Sequence, residues 1–359
     1  MKNTKELFNI TIDKPDDVSF AAAKHRFDGK AKPIDGLGDL ETIICRIAAV
    51  QRTGEISLRK RAAVIMCADN GIVEEGISQS GKKVTFSVAA ALGKGLSSAC
   101  TLARSADVDV VPVDIGIDSD LAIPGVRNMK SVRGTGNFMK EPAMTDDETL
   151  HAIDAGIRIV KELSDEGYTV IAAGEMGIGN TTTSAAVISA FLNIDSDEVT
   201  GRGAGIDDEG LNTKKQVIKR GVELYKHSDI SDTKNRAFQI LKSLGGLDMA
   251  GAAGLMIGGA ICHVPVILDG ILTAAAALVA EGMLPGVKDY LIASHNGREK
   301  GIMPSLEYLG LRPVINGNMA LGEGTGAILL FPLLDAAVDY YYKAADFRDY
   351  GMDEYKRFR

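Results

Sequence analysis

An apolar run that leads into a glycine-rich turn restricts the fold of this chain more than any other feature. Residues 168–173 (Tyr-Thr-Val-Ile-Ala-Ala) have the composition of a buried strand, and residues 184–191 have that of a helix. Between them, residues 174–183 read Gly-Glu-Met-Gly-Ile-Gly-Asn-Thr-Thr-Thr. Glycines let the backbone approach a ligand closely, and the first N–H groups of a helix are free to bind an anion. The stretch therefore predicts a phosphate cradle between a strand and a helix.

The spacing of these glycines excludes two familiar nucleotide-binding loops. Gly174, Gly177 and Gly179 follow the pattern Gly-x-x-Gly-x-Gly, whereas the dinucleotide loop has Gly-x-Gly-x-x-Gly. No Lys-Ser or Lys-Thr pair follows, so the stretch is not a Walker loop either. Similar turns also occur in α/β proteins that bind nothing. A phosphate bound here would belong to another class of ligand.

Strand-like runs and helical segments alternate along the chain. Besides residues 168–173, apolar runs occupy residues 62–68, 108–116, 264–268 and 290–293. This alternation favours an α/β fold, a mostly parallel sheet flanked by helices. No linker rich in Pro, Ser or charge divides the chain. A second domain could therefore be built only from the first and last helices together.

The composition argues against several classes of protein. The net charge is −8 and no long basic stretch occurs, so we do not expect a nucleic-acid partner. The cysteines form neither a Cys-x-x-Cys pair nor a zinc-ligand spacing, which is typical of reduced residues in a cytoplasmic protein. The four cysteines are Cys45, Cys67, Cys100 and Cys262.

Two segments are candidates for membrane elements. Residues 1–7 lack the apolar core of a signal peptide. Residues 249–268 are long and nearly uncharged, but several glycines, His263 and Pro265 interrupt them. We expect a helix of small residues followed by a strand there, and no membrane partner.

Glu323 is the first candidate for chemistry, because it stands between two glycines ahead of a predicted helix. It could be a solvated turn residue that complements the dipole of that helix. It could also be a carboxylate base at the edge of a pocket. The pattern alone leaves both interpretations open.

Two further sets of polar residues are candidates. Lys214 and Arg202 follow the predicted cradle and could complete a phosphate site, or they could lie on a solvated surface. Ser294-His295 follows a predicted strand. A single histidine is more often structural than catalytic, and the sequence shows neither a Ser-His-Asp set nor metal-ligand spacing.

Seven short motifs occur in the order found in one enzyme family. On the basis of these motifs, the chain resembles the nicotinate-nucleotide–dimethylbenzimidazole phosphoribosyltransferases, which make the lower-ligand nucleotide of cobalamin. Each glycine-rich motif alone is weak, but the ordered set from about Lys32 to Gly326 is specific. The motifs are Lys32-Pro33 to Gly38-Asp39-Leu40-Glu41, Ala68-Asp69-Asn70-Gly71-Ile72-Val73, residues 174–183, Gly201-Arg202-Gly203, Leu268-Asp269-Gly270, Ser294-His295 and Leu321-Gly322-Glu323-Gly324-Thr325-Gly326.

The resemblance implies a reaction and a fold. Family members exchange the nicotinate of nicotinate mononucleotide for 5,6-dimethylbenzimidazole or an analogue, with inversion at the anomeric carbon. The products are an α-ribazole 5′-phosphate-type nucleotide, used in cobamide nucleotide-loop assembly, and nicotinate. The implied fold is a Rossmann-like large α/β catalytic domain, residues 59–334, with a small helical domain from residues 1–58 and 335–359. The enzyme would be a cytoplasmic homodimer that needs no metal or other cofactor.

By the same resemblance, the site residues fall into three groups. Glu323 would be the catalytic base that takes the proton from the incoming imidazole nitrogen. The acceptor-base pocket would contain Ser78, Ser80, Lys83 and Leu321. Phosphate and nucleotide contacts would come from Glu175, Gly177, Ile178, Gly179, Asn180, Thr181, Gly203, Lys214, Asp269 and Ser294. A cradle for one phosphate would explain why neither the dinucleotide nor the Walker spacing occurs.

The chain departs from the family pattern at several positions. Asn70 and Ile302 stand where members usually have His, and Gly297 stands where they usually have Ser. After Ser78 members usually carry an aromatic residue and a proline, whereas this chain has residues 79–81, Gln-Ser-Gly. Loss of an aromatic ring removes a stacking surface for a flat base. The acceptor therefore stays open, and another benzimidazole, a purine or a phenolic compound is an alternative.

Two hypotheses from other classes remain. A nucleotide-binding dehydrogenase would explain the α/β pattern and the glycine-rich turn, but its glycine spacing would differ. A non-catalytic nucleotide sensor would keep the cradle without needing Glu323. Binding of NAD would indicate the first, and binding of nicotinate mononucleotide without turnover would indicate the second.

Overall fold

The computed structural model describes residues 1–81 and 83–357. Its centre is a six-stranded sheet in the order β3-β2-β1-β4-β5-β6, in which every pair is parallel. A second sheet pairs β7 with β8, also in parallel. The strands are β1 (Arg61–Ala68), β2 (Asp109–Gly116), β3 (Arg127–Asn128), β4 (Val170–Met176), β5 (Val266–Leu268), β6 (Leu291–Ala293), β7 (His295–Gly297) and β8 (Ile315–Met319). The α/β prediction is confirmed.

Helices connect the strands and cover both faces of the main sheet. They are α1 (Thr4–Phe8), α2 (Asp17–Asp28), α3 (Asp39–Gln51), α4 (Lys83–Gly93), α5 (Ser98–Ser105), α6 (Asp146–Asp165), α7 (Asn180–Leu192), α8 (Ser196–Val199), α9 (Asp208–Tyr225), α10 (Thr233–Leu244), α11 (Leu247–Cys262), α12 (Ile271–Met283), α13 (Ile302–Leu309) and α14 (Thr325–Lys343). Short 3-10 turns lie at Gly71–Glu75, His227–Asp229, Val287–Tyr290 and Phe347–Tyr350.

The two faces of the sheet carry separate hydrophobic cores. Along β1, Val64 and Met66 point into the core shared with α6, α7 and α10–α12. Ile65 and Cys67 point into the core shared with α3, α5 and α14. A strand buried on both faces is apolar throughout, which explains the uninterrupted apolar run. Strand order reverses between β1 and β4, and ligand sites in open α/β sheets lie at such a reversal.

The turn between β4 and α7 is shorter than the glycine-rich stretch 174–183, because both elements extend into that stretch. β4 continues through Glu175, and α7 already begins at Asn180, so the three threonines form the first turn of the helix. Gly174 stays paired with Ile65 of β1. A Cβ at Gly174 would lie 2.8 Å from the Cα of Gly324, so glycine is needed there for a close backbone approach.

The uncharged stretch 249–268 is internal to the protein. It forms α11, which is buried over almost its whole length, and then β5. Small residues let α6 and α11 pack closely: a Cβ at Gly254 would lie 3.0 Å from the Cα of Gly156. Within the described chain, only Lys83–Ser105 is long and apolar enough for a bilayer by length and composition. There α4 and α5 have 11 and 8 residues, and neither reaches the roughly 20 residues of a span.

The two ends of the chain meet beside the large sheet. The rings of Phe27 on α2 and Tyr341 on α14 lie 5.1 Å apart, and Lys30 pairs with Asp346. Arg61 at the start of β1 contacts Asp335 of α14 at 2.7 Å. We propose that residues 1–58 and 335–357 form the small helical domain, whose boundary with residues 59–334 then falls inside α14; residues 358–359 of the predicted domain lie outside the described residues.

Candidate active site

A cavity of about 200 Å³ opens at the carboxyl ends of β4 and β5. A smaller cavity of about 70 Å³ adjoins it, and the two share part of the turn before α7, the start of that helix and the 203–204 loop. The larger cavity is lined by Glu175, Met176, Gly177, Ile178, Asn180, Thr181, Gly203, Ala204, Asp269, Gly270, Ile271, Leu272, His295, Glu299, Ile302, Met319, Ala320, Leu321, Gly322, Glu323 and Thr325.

Close backbone packing shapes the turn before α7. Gly179, with φ of +92°, adopts the left-handed conformation that glycine tolerates best. A Cβ at Gly177 would lie 2.6 Å from the carbonyl oxygen of Ala68. The N–H of Ile178 donates to Thr85 Oγ1 at 3.3 Å, which ties the turn to α4. The turn thus presents the N-terminus of α7 to both cavities.

Lys214 brings a positive charge to this helix end from α9. Its side chain is 1% exposed, and Nζ donates to Thr181 Oγ1 at 2.8 Å. Burial lowers the pKa of the Lys214 amine to about 8, so the amine carries its charge at neutral pH. Gly203 covers the pair: a Cβ there would lie 3.3 Å from Lys214 Nζ. The structure therefore brings together Thr181, Gly203 and Lys214, which we call the clamp.

Glu323 lies in a strained turn that lines the larger cavity. Gly322, Glu323 and Gly324 have φ of +84°, +57° and +75°, three left-handed residues in succession. A glutamate in this conformation is unfavourable, and such strain is concentrated at functional sites. Its Oε2 accepts a hydrogen bond from the N–H of Ala99 in the first turn of α5 at 3.1 Å. Glu323 therefore caps a helix, but α5 rather than α14, which follows it.

Asp269, at the end of β5, holds this turn in place. Its carboxylate is 5% exposed and accepts the N–H groups of Gly324, Gly326 and Ala327 at 3.1, 2.7 and 3.3 Å. His295 Nδ1 lies 4.0 Å from Asp269 Oδ1. Burial raises the pKa of Asp269 above its usual range, and these partners oppose that rise. Asp269 thus fixes the backbone that carries Glu323.

Glu175 places a second carboxyl group beside the Glu323 turn. A Cβ at Gly322 would lie 2.8 Å from Glu175 Oε1, and Asn180 donates its side-chain amide to Glu175 Oε2. Burial, reinforced by the charges of Asp248 and Asp269, raises the pKa of Glu175 to about 8. At neutral pH this group therefore holds its proton and can donate a hydrogen bond.

The structure places some predicted residues away from the larger cavity. Ser294 is 1% exposed and donates to the carbonyl of Leu268 at 2.6 Å, so it lies behind the cavity wall. Ser78 lines only the smaller cavity, together with Gly179 and Lys214. Ser80 and Lys83 line neither cavity, although Leu321 lines the larger one.

Sequence patterns do not single out three of the lining residues as site residues. Met319 and Ile302 give the larger cavity part of its apolar wall. Glu299 is a buried acid, 9% exposed, whose Oε1 accepts the N–H of Gly203 at 2.9 Å. No local pattern marks Glu299, because its partner lies 96 residues earlier in the chain.

The polar residues of the site do not form a metal centre. Within residues 1–81 and 83–357, no group of three or more His, Cys, Asp or Glu side chains is arranged to hold a metal ion. The clamp instead contains the buried ammonium of Lys214 and the hydroxyl of Thr181, which are groups of the kind that bind phosphate.

A phosphoribosyltransferase family model matches residues 12–352, which makes this chain an α/β enzyme of the phosphoribosyltransferase class. The nicotinate-nucleotide–dimethylbenzimidazole phosphoribosyltransferase of Acetivibrio thermocellus is 41% identical over 358 residues, 99% of this chain and 98% of that protein. The enzyme of the same name from Escherichia coli O9:H4 is 39% identical over 342 residues, 95% of this chain and 94% of that protein.

A solved structure gives the same result. The crystal structure of CobT from Thermus thermophilus superposes with a TM-score of 0.87 and 37% sequence identity. The match covers 94% of this chain and 100% of that chain. The chain belongs to the nicotinate-nucleotide–dimethylbenzimidazole phosphoribosyltransferase family.

Proposed function

We propose that this protein transfers the 5-phosphoribosyl group of nicotinate mononucleotide to a lower-ligand base, 5,6-dimethylbenzimidazole or an analogue. The configuration at the anomeric carbon inverts, and the α-ribazole 5′-phosphate-type product serves cobamide nucleotide-loop assembly. One observation carries the proposal: the buried ammonium of Lys214, hydrogen-bonded to Thr181 at the start of α7, adjoins a cavity that Glu323 lines. Family membership supports the same reaction.

The reaction can be written with the residues present. The clamp of Thr181, Gly203 and Lys214 holds the 5′-phosphate and thereby fixes the ribose. An imidazole nitrogen of the base attacks the anomeric carbon while the bond to the pyridinium nitrogen breaks. The electron pair of that bond stays on the ring nitrogen, which becomes neutral, so the leaving group needs no proton. The remaining N–H proton of the base passes to Glu323, the proposed general base.

Glu175 and Asp269 support this chemistry by their charge and hydrogen bonds. A protonated Glu175 beside the Glu323 turn avoids a repulsive pair of neighbouring carboxylates. Its O–H can also donate to a ligand in the cavity. The three N–H groups bound by Asp269 keep the turn from moving as the proton is transferred.

The residues that line the larger cavity indicate which kind of acceptor base it favours. Ile302, where the family usually has His, and Met319 present apolar surface to the cavity. This surface favours a flat aromatic ring over a base that needs a hydrogen bond there. A purine or a phenolic compound with the same donor remains the alternative acceptor.

The experiment that tests the function is a competition among bases. Protein, nicotinate mononucleotide and an equimolar panel of benzimidazoles, purines and phenols are incubated, and nicotinate and the new nucleotide are identified by mass spectrometry. We expect nicotinate release and a benzimidazole ribotide as the main product. Absence of nicotinate release with every base would refute the proposal. An NAD titration and a binding measurement for nicotinate mononucleotide would then separate a dehydrogenase from a sensor.

We further propose a cytoplasmic homodimer. Leu329 and Leu333 on α14 leave an exposed apolar face, and Leu321 is exposed at the cavity wall on the segment before this helix. Such a face, continuous with a site, is typical of an interface between subunits. All four cysteines are free, which suits a reducing compartment.

Light scattering should give twice the chain mass of 38.0 kDa. Leu333→Asp should give the monomer, and a monomeric wild type would refute the dimer.

A further inference from the structure

The carboxylate of Glu299 is buried under the loop that carries Gly203. Its Oε1 accepts the Gly203 N–H at 2.9 Å, whereas Oε2 has no hydrogen-bond partner among the described residues. A buried carboxylate oxygen without a donor is unfavourable, and an amide would satisfy the Gly203 N–H equally well. The presence of a carboxylate rather than an amide at Glu299 therefore needs an explanation beyond this one hydrogen bond.

The loop is shaped to fit against this carboxylate. A Cβ at Gly201 would lie 2.6 Å from the Cδ of Glu299, so any side chain at 201 would displace the carboxylate from its present position. On its other side, a Cβ at Gly203 would lie 2.6 Å from Thr181 Oγ1. Gly203 itself is left-handed, with φ of +56°. The loop is thus held between Glu299 on one side and the Thr181–Lys214 pair on the other.

The charge of Glu299 acts on the buried lysine of the clamp. Burial disfavours the ammonium of Lys214, and the negative charge of Glu299 opposes that effect. Arg202, on the same loop, does not compete, because its guanidinium donates to the carbonyl of Ile206 at 3.0 Å and pairs with Asp208. Glu299 is therefore the acid whose charge compensates the buried lysine.

We propose that Glu299 is a positioning residue of the clamp, which holds residues 201–203 over the Thr181–Lys214 pair and supplies the negative charge beside the buried ammonium. The identity of the donor rests on the proposed function, but the clamp can be tested with inorganic phosphate alone. Glu299 touches no reacting atom in this scheme. It should therefore affect binding of the phosphate end rather than the chemical step.

Three variants separate the two parts of this role. Glu299→Gln keeps an oxygen that can accept the Gly203 N–H but loses the charge, and Glu299→Ala loses both. Glu307→Gln is the control, because Glu307 is an exposed acid on the nearby helix α13. The dissociation constant of inorganic phosphate is measured by calorimetry. KM and kcat are measured for nicotinate mononucleotide at saturating base.

We expect Glu299→Ala to raise both the phosphate dissociation constant and KM by roughly 10- to 100-fold, with kcat within about threefold of wild type. Glu299→Gln should raise them by roughly three- to tenfold, because the hydrogen bond remains. Glu307→Gln should match the wild type. Since Glu299→Ala could fail to fold, its circular dichroism is compared with wild type, and Glu299→Gln then carries the test.

Several outcomes would overturn the proposal. They are an unchanged phosphate dissociation constant in Glu299→Gln and Glu299→Ala, tighter binding in either variant, or a loss confined to kcat. A failure of the proposed function looks different. If wild type releases no nicotinate but binds phosphate, and the variants weaken that binding in the expected order, the role of Glu299 stands and the reaction is wrong.

Discussion

Replacing Glu175 by glutamine should make the stability of this protein less dependent on pH. The carboxyl group of Glu175 lies beside the Glu323 turn, and burial is the main reason that its pKa rises to about 8. The ordinary pKa of a glutamate is 4.5. Between these values the native state keeps a proton that the unfolded state loses. Stability then falls as pH rises, because the native state binds more protons than the unfolded state.

The size of the effect follows from the two pKa values. Well below pH 8 each pH unit lowers the free energy of unfolding by about 1.4 kcal/mol, and this slope halves at pH 8, so the loss from pH 6 to pH 8 is roughly 2.3 kcal/mol. Glutamine has no proton to lose, so the free energy of unfolding of Glu175→Gln does not show this pH-dependent fall. A chain of 359 residues has an unfolding entropy of about 0.75 kcal/mol/K, which makes the expected difference in Tm about 3 °C.

The assay is thermal unfolding of wild type and Glu175→Gln at pH 6, 7 and 8 in buffers of equal ionic strength. The Tm of the variant relative to wild type should increase by about 3 °C between pH 6 and pH 8. Glu198→Gln, which changes an exposed acid on α8, controls for a general effect of removing charge. A Tm difference that stays constant from pH 6 to pH 8 would mean that native Glu175 is ionised throughout, and would refute the reasoning.

Two further predictions concern the reaction. Glu323→Gln should lower the rate of nicotinate release at saturating base by roughly 10²–10⁴, the usual contribution of a general base. An unchanged initial rate would remove Glu323 from that role. Burial lowers the pKa of Lys214 to about 8, so its charge is present below that pH and is lost above it. KM of wild type for nicotinate mononucleotide should therefore rise between pH 7 and pH 9. In Lys214→Met it should be roughly 10- to 100-fold higher at pH 7 and nearly constant with pH; equal pH profiles of KM would contradict this.

Much of the fold could be predicted from local patterns. The apolar runs of β1, β2 and β4 are buried on both faces of the sheet, so their composition alone marks them. By contrast, β7 and β8 form a short pair that contains polar residues and glycine, and no periodicity identifies it. The pairing of β7 with β8 depends on the path of the chain between the two strands. A local sequence pattern does not describe that path.

The site residues likewise divide into those that a local pattern indicates and those that only long-range contacts identify. Thr181 lies in the first turn of a helix after a glycine-rich strand end, so the sequence already points to an anion there. Glu299 becomes meaningful only through the N–H of Gly203, and the resemblance names Asp269 as a nucleotide contact without indicating that it binds three N–H groups more than 50 residues later. Ser80 and Lys83, inferred from the resemblance, line neither cavity. Long-range hydrogen bonds of buried acids cannot be read from spacing.

The contact between Gly174 and Gly324 has a consequence for how this family can change. Gly174 belongs to the strand that leads to the turn before α7, and Gly324 follows Glu323. The two glycines meet backbone to backbone, because a Cβ on Gly174 would lie 2.8 Å from the N of Gly324. The distance between this turn and Glu323 is therefore set by the backbone and not by the size of a side chain. If the proposed roles hold, Ile302 and Leu321 can change with the acceptor base while this backbone distance is kept.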